Sequence, residues 1–327
     1  MLRKTRRLKS SPRGRLGFCF AKQGGFMERI FQYCIDRTQE NHTISTYLKA
    51  LDYPHAVIVH LKKTPNGILL NGKWEYVNTR LSAEDILTIR LIETESSEHI
   101  PPVFHPLDIV YEDDDILVVN KPANMPIHPS LNHYENTLAN AVCYYYENQG
   151  IPYTFRCVNR LDKNTSGLTI LAKHMLSSAI LSQQVAARQI HRQYLAITQG
   201  VTPSKGTINA PIGRKNDSTI ERQIDFENGE HAVTHYTQIE AKNGYSLLSL
   251  KLETGRTHQI RVHMSSIGHP LIGDFLYNEA SHEIERQALH SHKLCFTHPI
   301  TKETLEFTAP MPSDMQHFWD SLSTEQL

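Results

Sequence analysis

The most informative stretch of this chain is Asn159-Arg160-Leu161-Asp162-Lys163-Asn164-Thr165-Ser166-Gly167-Leu168. It predicts a tight polar loop leading into an apolar strand, because Thr and Ser side chains bond nearby backbone and Gly tolerates turn geometry. A carboxylate between cationic neighbours, such as Asp162, stays ionised and suits the role of nucleophile or charge stabiliser. The spacing alone also fits a helix-capping aspartate with a surface salt bridge, and it favours that structural role over a catalytic one.

A second polar segment, Leu252–Met264, combines a glycine turn with a helix predicted over residues 257–267. Arg256 precedes this helix, where it could meet a phosphate or a carboxylate. His258 and His263 are five residues apart and do not share a helical face, so we do not expect a metal pair there.

Other candidate metal ligands lack a matching pattern. His290 and His292 have no third ligand at suitable spacing, and the acidic run Asp113–Asp115 lacks the residues of a calcium-binding loop. We therefore expect a solvated turn at the acidic run and no metal site.

The surrounding chain predicts hairpins mixed with helices. Asn71-Gly72 and Asn243-Gly244 follow apolar runs and indicate hairpin turns. Helices are predicted over residues 136–147 and 174–188. Hairpins mixed with helices, in place of regular strand–helix–strand units, favour an α+β fold with a mixed, mainly antiparallel sheet.

Composition narrows the class of protein. The 327 residues suffice for two domains, and 39% apolar with 21% charged residues is typical of a folded protein without a membrane span. Five scattered cysteines indicate reduced thiols and a cytoplasmic protein. No motif for nucleotide hydrolysis, dinucleotide redox chemistry or serine hydrolysis is present.

The formal charge is zero, with 34 basic and 34 acidic residues, but its distribution is uneven. Residues 1–27 carry eight basic groups and no acidic one, so the remainder has a net charge of −8. We expect residues 1–27 to be a basic, disordered extension. It is compatible with a nucleic-acid-binding arm, with a targeting peptide, or with a native start at Met27.

Four segments together resemble the RluA-type pseudouridine synthases. They are Val118-Val119-Asn120-Lys121-Pro122, the Arg160–Leu168 loop, Arg192-Gln193-Tyr194-Leu195-Ala196, and Leu252–Met264 with Gly268–Asp274. The resemblance implies a catalytic domain over residues 107–327 that isomerises uridine in RNA, in ribosomal or transfer RNA, without a cofactor or metal.

The resemblance also implies roles for individual residues. Asp162 would be the catalytic carboxylate, Arg261 its ion-pair partner, and Tyr194 the ring that stacks on the uracil and assists removal of the C5 proton. Ile260 would form the apolar wall against the base, and Arg160 would occupy the space that an extruded uridine leaves.

The implied site departs from the family pattern at one residue, and several cationic residues lie in its motifs. Asn159 stands where the family usually has His, so it cannot carry a proton; we expect activity to survive with altered support of the loop. Lys163 and Arg256 would contact substrate RNA. With Arg160, Arg192 and Arg261 they would form a basic groove on an acidic body.

Residues 28–95 resemble the small S-four-like RNA-binding domain, and the proline-containing segment 96–106 is expected to be a linker. We expect a monomer that binds RNA, without a membrane or an obligatory protein partner. Two alternatives stay open: a catalytically idle RNA-binding protein, and a nucleoside-bond hydrolase. A hydrolase is disfavoured because it typically needs two carboxylates.

Overall fold

The structure is a computed structural model that describes residues 15–17, 26–216 and 218–322. Within the stretch for which the sequence predicts disorder, Arg15–Gly17 forms a short strand. The other residues up to Gly25 lie outside the described part of the chain, and so does the prediction made for them.

An antiparallel sheet of five strands forms the N-terminal part of the described chain. Its strands are β1 (Arg15–Gly17), β2 (Met27–Cys34), β3 (Ile68–Leu70), β4 (Lys73–Trp74) and β5 (Ile86–Glu93), in the order β1-β2-β5-β3-β4. Helices α1 (Ile44–Ala50) and α2 (His55–Lys63) follow β2. The predicted Asn71-Gly72 hairpin turn is present, and both residues have positive φ, 50° and 79°. Thr43 caps α1 through a 3.1 Å bond from the Thr46 amide to its hydroxyl.

A larger sheet of nine strands follows in the described chain. Its strands are β6 (Ile109–Glu112), β7 (Ile116–Lys121), β8 (Ser166–Ala172), β9 (His191–Gln199), β10 (Lys205–Asn209), β13 (Val233–Lys242), β14 (Tyr245–Leu252), β15 (Leu289–Thr297) and β16 (Thr304–Thr308). A separate hairpin joins β11 (Ile212–Arg214) and β12 (Arg222–Ile224). The order is β10-β13-β14-β9-β15-β8-β7-β6, with β16 on β15. Its pairs are antiparallel except β8 with β15, so the predicted α+β class is confirmed.

Four helices pack on the larger sheet: α3 (Leu138–Glu147), α4 (Met175–Ala186) and α5 (Gln259–Ser266), which connect its strands, and α6 (Ser313–Ser321), which follows the last strand. The three that the sequence predicts, α3, α4 and α5, begin one to two residues later than expected, and α6 was not predicted. The clearest case is α5, because His258 has the left-handed φ of 57° and so cannot belong to the helix. No helix in the described residues is long and apolar enough to cross a membrane.

The two sheets share apolar contacts and an ionic contact. Leu176 and Ile180 of α4 pack in the same apolar cluster as Phe31 of β2. Beside this cluster Asp115, only 3% exposed, binds Arg29 of β2 at 2.8 Å and His174 at 2.9 Å.

The sequence prediction of a solvated acidic turn is therefore wrong for Asp115, because its partners come from distant parts of the chain. The carboxylates of Asp113 and Asp115 also approach His298, whose Nε2 donates to Asp113 at 2.9 Å. These side chains already bond to one another and to Arg29, so they form an ion network between the sheets.

Candidate active site

The Asp162 loop precedes β8 and is fixed by bonds to its backbone. The buried Lys121, at the end of β7, donates from Nζ to the carbonyls of Lys163 at 3.1 Å and of Met125 and Pro122 at 2.8 Å each. Arg286 donates to the carbonyl of Asn164 at 3.2 Å. The buried side chains of Lys121 and Arg286 therefore hold the loop by hydrogen bonds to its backbone.

Gly167 is required where this loop enters β8. Its φ is +111°, and a Cβ at this position would lie 2.3 Å from the carbonyl oxygen of Ser291 on β15. The glycine thus permits the close parallel pairing of β8 with β15, and this pairing places the loop at the edge of the cleft.

Asn159 anchors the start of the loop. Its side chain is 3% exposed, and its Oδ1 accepts a 2.8 Å bond from the amide of Ile170 on β8. Its Nδ2 donates to the carbonyl of Leu168 at 3.3 Å. The residue that departs from the family pattern therefore bonds the backbone of β8.

Arg261 on α5 joins two carboxylates. Its Nε and Nη2 donate to the two oxygens of Asp274 at 2.7 Å each, while its Nη1 reaches Oδ2 of Asp162 at 3.3 Å. Asp274 is fully buried, whereas the Asp162 side chain is 28% exposed. Asp274 thus fixes the guanidinium, and Asp162 is the carboxylate of this cluster that a substrate can reach.

The two carboxylates stabilise the positive charge of Arg261. Burial alone would lower the pKa of Arg261, but its hydrogen bonds to Asp274 and the charges of Asp274 and Asp162 raise that pKa above its ordinary value. Burial also lowers the pKa of His258, against the opposing charge of Asp162, so the imidazole is neutral at neutral pH. His258 Nε2 lies 3.9 Å from Oδ2 of Asp162, and its Nδ1 bonds the Tyr277 hydroxyl at 3.0 Å.

Tyr194 and Ile260 form apolar walls beside Asp162. Tyr194 lies on β9, opposite Ser291 of β15, and is 5% exposed; Ile260 on α5 is 4% exposed. Burial raises the pKa of Tyr194 and the charge of Arg192 opposes this rise, so the phenol is protonated at neutral pH. Both side chains line the same inner cleft as Asp162 and Arg261.

The cations expected at the site differ in position. The four arginines line the inner cleft, which adjoins an outer cleft of about 980 Å³. Arg160, Arg192 and Arg256 line both clefts, Arg261 only the inner one, and Lys163 only the outer one. The guanidinium of Arg256 pairs with Glu230. Six arginine or lysine side chains and two carboxylates line the outer cleft, so it is locally basic although the chain is neutral.

Sequence reasoning missed several residues of this site. It quoted Asp274 only as part of a motif, and it expected a single carboxylate where the structure has a second, buried one on Arg261. It assigned no role to His258 at the site, nor to Lys121 and Arg286 under the loop. The available signal was charged residues inside otherwise apolar stretches, but that signal does not identify their partners.

A mixed sheet with one accessible carboxylate, held by an arginine and flanked by a buried tyrosine, defines an enzyme site at the mouth of a basic cleft. The family of RNA pseudouridylate synthases matches residues 115–266. The chain is 40% identical over 274 residues to an RNA pseudouridine synthase of Bacillus subtilis (strain 168), YjbO, with 84% of this chain and 96% of the relative covered.

A second relative and a solved structure indicate the same family. The ribosomal large subunit pseudouridine synthase D of Zymomonas mobilis is 44% identical over 235 residues, covering 67% of this chain and 73% of the relative. The solved structure of human RNA pseudouridylate synthase domain containing 1 matches with a TM-score of 0.54 and 30% identity, over 64% of this chain and 85% of that one. The chain belongs to the RluA-type pseudouridine synthases and is an enzyme that isomerises uridine in RNA to pseudouridine.

Proposed function

We propose that this enzyme modifies specific uridines of structured ribosomal RNA, with Asp162 as its catalytic carboxylate. The observation that carries the proposal is the contact of Asp162 with Arg261, whose other edge is clamped by the buried Asp274. Ribosomal RNA is favoured over transfer RNA because the relative from Zymomonas mobilis is named for the large ribosomal subunit.

The reaction rearranges bonds within one nucleotide. Asp162 attacks the ribose C1′ or the base C6, the bond from N1 to C1′ breaks, and the uracil turns within the cleft. A bond from C5 to C1′ then forms, and the bond between Asp162 and C1′ or C6 breaks to return the free carboxylate. C5 loses its proton and N1 gains one, so the composition of the nucleotide is unchanged. Arg261 contacts Oδ2 of this carboxylate at 3.3 Å and so orients the nucleophile toward the substrate.

Tyr194, Ile260 and Arg160 support base extrusion in this proposal. A paired or stacked uridine must leave its stack to reach Asp162, which costs a few kcal/mol. Stacking of the uracil on Tyr194 offsets about 1–3 kcal/mol of that cost, and Ile260 closes the opposite wall. Arg160, two residues before Asp162 and exposed at the cleft, fills the vacated space in the RNA.

The rim cations and the N-terminal sheet extend the RNA contact. Lys163 and Arg256 line the basic outer cleft, where they would contact an RNA strand that enters it. The unit of residues 28–95, joined by segment 96–106 to the catalytic unit of residues 107–327, adds a second RNA-binding surface. The ion network at Asp115 supports this view, because it fixes the smaller sheet on the larger one.

Mapping of pseudouridine in a strain that lacks the gene tests the proposal. We expect one or a few sites of large-subunit RNA to lose the modification, and the wild-type gene and an Asp320→Ala control to restore it. Asp320 is an exposed carboxylate on α6. Asp162→Ala should restore nothing. Restoration by Asp162→Ala would sink the assignment of the carboxylate, and loss confined to transfer RNA would overturn the choice of substrate.

A further inference from the structure

Arg192 is a cleft residue to which the reaction, as described, gives no specific task. It lies two residues before Tyr194 on β9, so both side chains are on the same face of the sheet. Its guanidinium lines the inner cleft with Asp162 and also the outer cleft. It therefore lies where the two parts of the cleft meet.

Arg192 has no carboxylate partner among the described residues, and its side chain contacts the Tyr194 hydroxyl. Of the four inner-cleft arginines, Arg261 contacts Asp274 and Asp162, and Arg256 contacts Glu230. No ion pair within 4.0 Å is found for Arg160 or Arg192 among the described residues, and Arg160 already has a task in base extrusion. The Nε of Arg192 is also buried without a hydrogen-bond partner there. A buried donor without a partner is uncommon and points to a group that the free protein does not supply.

Gly255 makes room for this guanidinium. A Cβ at residue 255 would lie 3.1 Å from Nη2 and 3.2 Å from Nη1 of Arg192, closer than ordinary contacts allow. The backbone of Gly255 is not in the left-handed region, so the glycine provides space beside Arg192 and is not required by the backbone conformation. The loop before α5 is thus shaped around Arg192.

We propose that Arg192 binds a backbone phosphate of the RNA beside the target uridine. Uracil and ribose are uncharged, so phosphate is the anion that the substrate brings into the cleft. A guanidinium offers two parallel N–H donors that match phosphate oxygens. Arg192 and Tyr194 are about 6.6 Å apart along the strand, so a bound phosphate would hold the nucleotide with its base near Tyr194.

This inference rests on the proposed function, because it requires an RNA strand in the cleft. Its test uses a short RNA hairpin centred on the uridine that pseudouridine mapping identifies. Each phosphate flanking that uridine is replaced in turn by an uncharged methylphosphonate, and kcat/KM is measured for wild type, Arg192→Gln and Arg192→Lys. Arg214→Gln, which removes an exposed charge that does not line the cleft, is the matched control.

We expect Arg192→Gln to lower kcat/KM by about 10- to 100-fold, as the loss of a hydrogen bond to a charged group does. At one of the two positions, the methylphosphonate should lower the kcat/KM of wild type, Arg192→Lys and Arg214→Gln. The factor of that decrease should be at least three times larger than the factor for Arg192→Gln. Gly255→Ala, which crowds the guanidinium while leaving its charge, should lower kcat/KM in the same direction but less.

Two results would overturn the inference. One is a kcat/KM of Arg192→Gln within twofold of that of wild type. The other is that at neither position does the methylphosphonate lower kcat/KM by factors that differ threefold between wild type and Arg192→Gln. Folding of each variant is checked by its unfolding midpoint in urea. A failure of the proposed function is seen separately, as restoration of pseudouridine by Asp162→Ala.

Discussion

At the scale of single residues, the site depends on how one arginine divides its donors. Arg261 uses Nε and Nη2 for Asp274 and offers Nη1 to Asp162, so its orientation is set before substrate binds. Preorganised charge of this kind costs no rearrangement during the reaction. In the proposed mechanism Asp274 is a positioning residue, because it contacts Arg261 and not Asp162.

Asp274→Asn tests this division. We expect kcat to fall by about 100-fold with little change in KM, because a displaced guanidinium misplaces Asp162. Breaking a buried ion pair should also lower the free energy of unfolding by about 3–5 kcal/mol. Asp115→Asn is the matched control, since Asp115 also binds an arginine while buried but lies between the sheets. It should lower stability and leave kcat unchanged; equal kcat values for both variants would contradict the role of Asp274.

Asn159 offers a second test at this scale. Its amide bonds the backbone of β8 at Ile170 and Leu168, which is a structural task. We expect Asn159→His to change turnover by less than about threefold, because acid–base groups contribute about 10²- to 10⁴-fold where they act. A gain above about tenfold in kcat would show that a proton carrier at this position is coupled to the chemistry.

At the scale of elements, local chemistry explains which predictions from sequence succeeded. The Asn71-Gly72 and Asn243-Gly244 turns were predicted correctly. This turn type needs positive φ at both central positions, and Asn and Gly adopt positive φ more readily than other residues. The start of α5 was placed two residues too early because the left-handed backbone at His258 is held by contacts to Tyr277 and the site. Partners remote in sequence, such as Arg261 and Asp162 at a separation of 99 residues, do not follow from spacing.

The loop that carries Asp162 depends on β7 through Lys121. Burial lowers the pKa of Lys121 to about 7, although the charge of Asp162 opposes that shift. Lys121→Met removes donors to three carbonyls, so we expect the free energy of unfolding to fall by about 1–3 kcal/mol.

The same substitution should lower kcat about tenfold, because a loosened loop misplaces the carboxylate. Lys205→Met, at an exposed position on β10, should change neither quantity. Turnover in Lys121→Met equal to wild type would show that the loop keeps its geometry without this tether.

At the scale of the whole molecule, charge placement matters more than net charge. The neutral total of 34 basic and 34 acidic residues gives no sign of RNA binding, yet the outer cleft is basic and the acidic groups lie mostly elsewhere. The acidic run near Asp115 was wrongly predicted to be solvated because Arg29, its partner, is 86 residues away. Such pairings depend on how the two sheets pack, and sequence patterns do not specify that packing.

The ion network between the sheets predicts acid sensitivity. Burial opposes ionisation of Asp115, but its hydrogen bonds and charge interactions with His174 and Arg29 hold its pKa well below the usual range. Its stabilising contribution is therefore full above the unfolded pKa of about 4 and is lost as the pH falls below that value.

Urea unfolding measures this effect. At pH 7, Asp115→Asn should be less stable than wild type by about 3–5 kcal/mol, and the difference should shrink as the pH is lowered from about 5 to about 2. Asp114→Asn, at a half-exposed neighbour, should cost far less. A difference for Asp115→Asn that stays constant across this range would contradict the network.

The measurement that tests the central claim most directly is a nucleoside balance. Purified protein is incubated with RNA from a strain that lacks the gene, and uridine, pseudouridine and free uracil are quantified by mass spectrometry. We predict that each uridine lost appears as one pseudouridine, that no uracil is released, and that Asp162→Asn converts none. Release of uracil would indicate a hydrolase, and conversion by Asp162→Asn at the wild-type rate would contradict the assignment of Asp162.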